Sequence, residues 1–468
     1  MVPRFFVLMF FMCGFGRAQT LPNFFSDSMV LQQKDSVPFW GTDQPEQMVS
    51  ITTSWGAQAT VKTDSEGEWK TQLVTPAAGG PYDIYIAGTG KDTLKNVLIG
   101  EVWLAAGQSN MHIPLKGYRN TPIEGAMEAL VNSKNSKIRF FRINRNPTLS
   151  PEDNVSGDWK ESNPENAQEF SAVGYFFASL LQKSLDVPVG IITTSWGGSK
   201  VQAWLGKKSV KKFPELKIPE VLGESAKDKR TTPTSLYNGM LLPLQDYAIK
   251  GVLWYQGESD RETENYQGYF TELIRSWRDQ WKDQSLPFYF VQIAPFSYDE
   301  LNPVPGGDAA RVRNAQLQTY LTVHNTGMVV SMDAGDCKDV HPSRKKIIGD
   351  RLAYWALADT YGWELPHESP VFKKAVYSQN DQAVKVYFDH APFGFIKQEE
   401  IKGFSLSING KTFEETSAQI GSDGNILIPV KNDFPKFIRF GYGDCIQTNL
   451  KSTFGFPVSP FKGVVEAE

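Results

Sequence analysis

Along this chain the spacing of apolar positions changes character twice. From residue 21 to about 93 it has period two. Val49-Ser50-Ile51-Thr52-Thr53 and Tyr82-Asp83-Ile84-Tyr85-Ile86 alternate, and Glu66-Gly67-Glu68, Ala78-Gly79-Gly80-Pro81 and Gly88-Thr89-Gly90 supply turns. Short strands with frequent turns predict a small N-terminal β-sandwich over residues 19–93. Residues 94–362 instead alternate apolar runs with segments of helical period. The runs are Leu98–Ala106, Ile138–Phe141, Val187–Thr193, Gly251–Tyr255, Phe288–Ile293 and Gly327–Met332. Helices are predicted over Val173–Leu185, Tyr266–Trp281, Ala309–Leu321 and Ser343–Tyr361. Strand and helix in repetition predict an α/β domain, a parallel sheet covered by helices on both faces. From 363 to 468 the helical period disappears. Ala383–Phe388, Asn425–Val430 and Phe437–Phe440 read as strands and Asn409-Gly410 as a hairpin turn, predicting a second β-sandwich-like module.

The first eighteen residues follow none of these patterns. Arg4 precedes the apolar run Phe5–Met12, too short to cross a bilayer, and Gly16-Arg17-Ala18 resembles a small-x-small cleavage site. This is the pattern of a signal peptide cut after Ala18, and it predicts a secreted or periplasmic protein. Cys13 raises lipoprotein anchoring as the less favoured alternative, since bulky Phe11-Met12 precede it. No later run is long enough to span a membrane.

Composition narrows the class further. The 468 residues carry a net charge of −4 with no basic block, which argues against nucleic acid as a partner. Twelve Trp and 17 Tyr are compatible with carbohydrate sites as well as large cores. Beyond the leader only Cys337 and Cys445 remain, so neither a disulfide scaffold nor a cysteine-rich metal site is expected. The two could pair in an oxidising compartment, but two free buried thiols are the slightly favoured expectation. Nothing in the pattern fixes an oligomeric state.

The candidate chemistry lies where strands end. Val102-Trp103-Leu104-Ala105-Ala106 breaks into Gly107-Gln108-Ser109-Asn110, placing a serine at a sharp turn beyond a core strand. Three later loops also follow apolar runs: Thr194–Ser199, Gln256–Asp260 and Asp333–Pro342. In parallel α/β sheets such loops gather at one edge. Together they contain what acyl transfer needs. Ser109 could attack, and His341 could take its proton because imidazole titrates near neutrality. A nearby acid would hold the imidazole. Gly197 or Gly198 could supply an N–H, and Gln256 a carboxamide, to an oxyanion. Glu258 could cap the following helix, orient Gln256 or meet a sugar hydroxyl. His112, His324, His367 and His390 sit in less suggestive settings.

In this order, Gly107–Met111, Phe170–Ala178, Ser195–Gly198, Tyr237–Met240, Trp254–Ser259 and Asp339–Pro342 resemble the sialate O-acetylesterase family, carbohydrate esterases of the Ser-Gly-Asn-His (SGNH) hydrolase superfamily. Asp27–Gln32 in the first module extends the likeness. The resemblance implies a flavodoxin-like three-layer SGNH domain flanked by the two β-modules. It implies Ser109 as nucleophile, His341 as base, and an oxyanion hole from Ser109, a glycine of Gly197-Gly198 and Gln256. Two positions depart from the wider superfamily pattern. Gln256 stands where the superfamily has Asn, and Lys338 stands three residues before His341, where it has Asp. Asp339, Asp336 or a backbone carbonyl could therefore back the histidine.

The expected activity is removal of O-acetyl groups from sugars, foremost O-acetylated sialic acids, with no metal or organic cofactor. Acetylated plant glycans such as xylan are the alternative substrate, and a non-catalytic glycan-binding protein the alternative of another class. Asn110, Trp196, Tyr255 and Glu258 are candidate substrate contacts, with Tyr118, Trp204 and Trp254 as further candidates for the sugar pocket. Arg119 or Lys200 could meet a sugar carboxylate.

Overall fold

The computed structural model describes residues 19–301, 307–430 and 434–468, so the expected leader lies outside the described residues. The first module contains β1 (Val30–Gln32), β2 (Ser36–Thr42), β3 (Met48–Thr53), β4 (Gln58–Lys62), β5 (Glu68–Val74), β6 (Gly79–Ala87) and the start of β7 (Lys91–Gly107). β2 and β5 form an antiparallel pair. β4, β3, β6 and β7 join antiparallel in that order, and β1 adds to β7 in parallel. The period-two positions meet between these layers, where Phe39, Val49, Ile51, Trp69, Leu73, Ile84 and Ile86 are buried.

β7 does not stop where the sequence changes character. Its first residues alternate between exposed and covered, and every residue from Val97 to Gly107 is buried. The expected boundary at residues 93/94 therefore falls inside one unbroken 17-residue strand. The change in pattern marks where the strand becomes covered on both faces, not where it ends.

The central sheet adds β8 (Asn135–Arg142), β9 (Trp159–Ser162), β10 (Val189–Ser195), β11 (Gly251–Tyr255), β12 (Phe288–Gln292) and β13 (Thr326–Val330). Its order is β13-β12-β11-β7-β10-β8-β9. All neighbours are parallel except β9, which lies antiparallel on the edge. Alternate residues face opposite helical layers. Trp103, Ala105, Leu253 and Val291 pack with the helices Ala172–Leu185 and Lys345–Trp355. Leu104, Trp254, Phe288 and Phe290 pack with Tyr266–Trp281 and Ala309–Thr322. On that second face the Trp254 ring meets Trp204 and Trp277 edge-on at 6.2 and 5.6 Å. Burying each such ring contributes about 1.5–3 kcal/mol.

The final module contains β14 (Val371–Ser378), β15 (Ala383–Asp389), β16 (Ile401–Ser407), β17 (Glu414–Ile420), β18 (Ile426–Pro429), β19 (Phe437–Phe440) and β20 (Phe461–Ala467). It departs from the expected sandwich: the strands close into a barrel ordered β14-β15-β18-β17-β16-β19-β20. The last strand pairs antiparallel with β19 and parallel with β14, so it satisfies both open edges at once. Asn409-Gly410 does turn the chain between β16 and β17. Asn409 Oδ1 accepts the Lys411 and Thr412 N–H groups, and Gly410 takes a φ of +74°.

Two links tie this barrel to the loop after β13. Half-buried Asp333 pairs with Arg351 at 2.7 Å and with Lys451 at 2.8 Å. Cys337 is disulfide-bonded to Cys445, their Cα atoms 5.7 Å apart. That corrects the expectation of two free thiols; the fold brings together residues 108 apart in sequence, which local pattern cannot foresee. No described helix is long and apolar enough to cross a membrane.

Candidate active site

The end of β7 is built for a sharp turn. Gly107 has a φ of +136°, and a Cβ there would run into the Tyr255 carbonyl of neighbouring β11. The Gln108 N–H then donates to the Tyr255 carbonyl at 2.9 Å, and the chain enters the short helix Ser109–His112. Half-buried Ser109 emerges there, its Oγ 2.9 Å from His341 Nε2.

His341 arrives from the loop after β13. Its backbone N–H donates to Asp339 Oδ1 at 2.8 Å, and its Nδ1 lies 3.7 Å from that same oxygen. Asp336 is occupied elsewhere, accepting the Lys338 and Asp339 N–H groups at 3.0 and 3.3 Å. Burial and the Lys345 charge lower the His341 pKa, while Asp339 raises it; the net direction is down. The imidazole is therefore neutral at neutral pH and free to accept a proton.

The loop after β10 closes the other side. The Trp196 N–H donates to the Gly107 carbonyl at 3.0 Å. A Cβ on Gly197 would stand 3.3 Å from the Ser109 Cβ, so this backbone passes directly beside the serine. Gly198 makes the turn, with a φ of +75°, and its open side faces the Arg230 guanidinium.

Gln256 departs from its expected role as an oxyanion donor. It is fully buried, and its Nε2 donates to the Ser199 carbonyl and to Asp260. Its Oε1 accepts from Tyr266 at 3.1 Å. Both amide protons are thus committed to holding the β11 loop.

Asn110, Glu258 and Tyr255, the candidate substrate contacts, are likewise held inside the fold. All three are buried, together with Lys345. Asn110 Nδ2 donates to Glu258 and, at 3.0 Å, to the Val340 carbonyl, while its Oδ1 accepts from Lys345. The Tyr255 ring lies 5.5 Å from Lys345 Nζ. A carboxamide beside the serine thus clamps the residue before His341. Lys345, brought down to about 7 by burial against the opposing pull of Glu258 and Asp339, anchors the clamp. Trp204 and Trp254 are core residues with no exposure. Lys200 is paired with Glu262 at 2.6 Å, whereas Arg119 is exposed. Trp196 is 8% exposed and Tyr118 49%.

One group beside the serine, His112, has only a less suggestive setting in the sequence. His112 stands three residues on, a spacing that puts it on the same side of a helical turn. Its Nε2 accepts from Arg142 at 2.9 Å and from Arg145 at 3.3 Å, so Nδ1 donates to Ser195 Oγ at 3.1 Å. Burial, then Arg142 and Arg145, hold its pKa down to about 3. Among the described residues no three His, Cys, Asp or Glu are grouped to hold a metal ion.

Comparison with known proteins agrees with this architecture. The family described as "Carbohydrate esterase, sialic acid-specific acetylesterase" matches residues 99–357. The chain is 30% identical to sialate O-acetylesterase of Pongo abelii over 397 residues, covering 75% of this chain and 73% of that protein. It is 26% identical to the Mus musculus sialate O-acetylesterase over 460 residues, 84% of this chain and 82% of the relative. The crystal structure of a carbohydrate acetylesterase from Xanthomonas citri superposes with a TM-score of 0.85 at 34% identity, covering 95% of this chain and 99% of that one.

Proposed function

The chain belongs to the sialic acid-specific acetylesterase family of carbohydrate esterases and is a carboxylic ester hydrolase; from that premise we propose that it is a secreted serine esterase removing O-acetyl groups from sugars, O-acetylated sialic acids foremost. The observation that carries the mechanism is the 2.9 Å contact between Ser109 Oγ and His341 Nε2. A serine hydroxyl attacks only when a base takes its proton, and a neutral imidazole at this distance can do so.

In this reading Ser109 Oγ bonds to the acetyl carbonyl carbon as His341 Nε2 takes its proton, and the carbonyl π pair moves onto oxygen. The backbone N–H groups of Ser109 and Gly197 hold that oxyanion. Collapse breaks the bond to the sugar oxygen, which leaves with the proton from Nε2. Water then attacks acetyl-Ser109 with His341 again as base, and acetate departs as Ser109 recovers its proton. Asp339, at 3.7 Å from Nδ1, steadies the imidazolium electrostatically. The parallel central sheet covered by helices on both faces supports the flavodoxin-like SGNH reading of the fold. The leader pattern and the Cys337–Cys445 bridge support secretion, because disulfides persist in oxidising compartments.

The test is acetate release from 9-O-acetyl sialic acid by wild type and Ser109→Ala. Wild type should turn the sugar over, and the variant should lose activity about a thousandfold or more. Equal rates from the two proteins would sink the mechanism.

A further inference from the structure

The first module and the hydrolase domain enclose a groove of about 810 Å³ beside the β2–β5 pair. One wall comes from β2, β5 and residues 20–22, the other from residues 151–154 and 242–246. None of the loops carrying Ser109, Gly197, Gln256 or His341 lines it. The two walls are fastened to each other. Lys70 pairs with Asp246 at 2.6 Å. The Asn23 N–H donates to Asn154 Oδ1 at 3.0 Å, and Asn23 Nδ2 donates to the Val155 carbonyl at 2.8 Å. The groove is therefore preformed, as ligand sites usually are.

Two indoles and a set of acids give it its chemistry. Phe25 meets the half-buried Trp40 ring edge-on at 4.7 Å and so fixes its orientation. Trp69 also lines the groove and is 3% exposed, and its buried Nε1 has no hydrogen-bond partner among the described residues. Asp64, Glu68, Glu152, Asp153 and Asp246 face one cation, Lys70, which Asp246 already holds. Asp64 is engaged in its own turn, where Oδ1 accepts the Glu66 and Glu68 N–H groups at 2.9 Å. Among the described residues, Glu68, Glu152 and Asp153 have no side-chain hydrogen bond or ion pair.

What each group can give or accept selects the ligand. An ionised carboxylate only accepts, and an indole N–H only donates. A cation would answer the carboxylates and leave the Trp69 N–H unmet. An anion would answer the indole and be repelled by the acids. A hydroxyl does both, donating to a carboxylate while its oxygen accepts from an N–H. A sugar ring adds an apolar C–H face, which suits an aromatic platform such as Trp40.

We propose that this groove is a second, non-catalytic glycan site, which holds a neutral sugar unit on Trp40 between the carboxylates of Glu68, Glu152 and Asp153. That the polyhydroxyl ligand is a glycan rests on the carbohydrate-esterase reading above. The site anchors a neutral stretch of glycan and takes no part in the chemistry at Ser109.

Binding without turnover tests it. Calorimetry on the full chain carrying Ser109→Ala uses N-acetyllactosamine, xylohexaose and mannohexaose, which bear neither charge nor acetyl ester. At least one should bind, equally well at 0.5 M NaCl, because a neutral ligand gives salt nothing to screen. Adding Trp40→Ala should weaken that binding about tenfold or more, and adding Glu152→Gln with Asp153→Asn about fivefold or more. With Ser109 intact, both variants should hydrolyse 4-nitrophenyl acetate at the wild-type rate. If Trp40→Ala fails to fold, the Glu152→Gln, Asp153→Asn chain alone decides. Binding of none of the three sugars overturns the site, and so does binding that survives the variants. Tetralysine that displaces the sugars and is itself released by salt would overturn the neutral ligand in favour of a cation. A chain that binds sugar in the groove yet hydrolyses no acetyl ester with Ser109 present would overturn the esterase reading and leave the groove site standing.

Discussion

At Ser109 and His341 the geometry separates a short contact from a long one. Nε2 meets Oγ at 2.9 Å, whereas Asp339 spends its closest contact on the His341 backbone and stands 3.7 Å from Nδ1. Asp339→Asn keeps that backbone acceptor and removes only the charge. It should lower kcat/KM by about 10–100-fold, against about a thousandfold or more for His341→Ala, measured on 4-nitrophenyl acetate. The pH profile carries the sign of each neighbour. Because the His341 pKa is lowered, activity should fall with decreasing pH only below the ordinary imidazole range near 6.5. Lys345 is charged where His341 titrates, so Lys345→Met should move the acid limb up, and Asp339→Asn should move it down. An acid limb unmoved in both variants would show that neither charge reaches the imidazole. Ser109 and His341 were legible because each sits where an apolar run stops at a turn. The fate of Gln256 was not, since occupation of its amide depends on Ser199, Asp260 and Tyr266, which only the folded chain assembles.

Among the elements, the turn after β7 and the loop after β13 are joined through Asn110. Asn110→Ala removes donors to Glu258 and Val340 and the acceptor for Lys345, leaving buried polar groups unpaired. A cost of about 1–3 kcal/mol in denaturant unfolding is expected, together with a drop in kcat greater than any rise in KM, because Asn110 holds the loop that carries His341. Gly107→Ala tests the turn itself. The added methyl meets the Tyr255 carbonyl at a φ of +136°, so the unfolding midpoint should fall by the equivalent of about 1–3 kcal/mol. A variant as stable as wild type would show that the turn relaxes. Strands and helices of the central sheet were readable from periodicity because helices cover both its faces. Closure of the barrel was not: period two reports which residues face inward, while the pairing of β20 with β14 joins the two ends of the module.

For the whole molecule, the loop bearing His341 is fastened to the barrel as well as to the sheet. Cys337 is bonded to Cys445 four residues before the histidine, and Asp333 pairs with Lys451. Reduction of the bridge, or Cys337→Ser with Cys445→Ser, should destabilise the protein by about 2–5 kcal/mol, seen as a lower midpoint of thermal unfolding. Activity should fall before global unfolding, because the histidine loop is the segment released. A reduced enzyme with unchanged melting and turnover would remove the barrel from any part in positioning His341.

β7 runs from the N-terminal sheet through the centre of the parallel sheet to the serine. Buried Glu101 marks the crossing, where it accepts from Gln32, Gln33 and Tyr361. The front module is therefore no detachable cassette. A shortened gene starting at residue 94 would sever the strand that leads to Ser109 and strip Gln32 and Gln33 from a buried carboxylate. Domain shuffling needs a seam, and here the seam would pass through the strand that leads to Ser109, so front module and hydrolase should be inherited, and have to be engineered, as one piece.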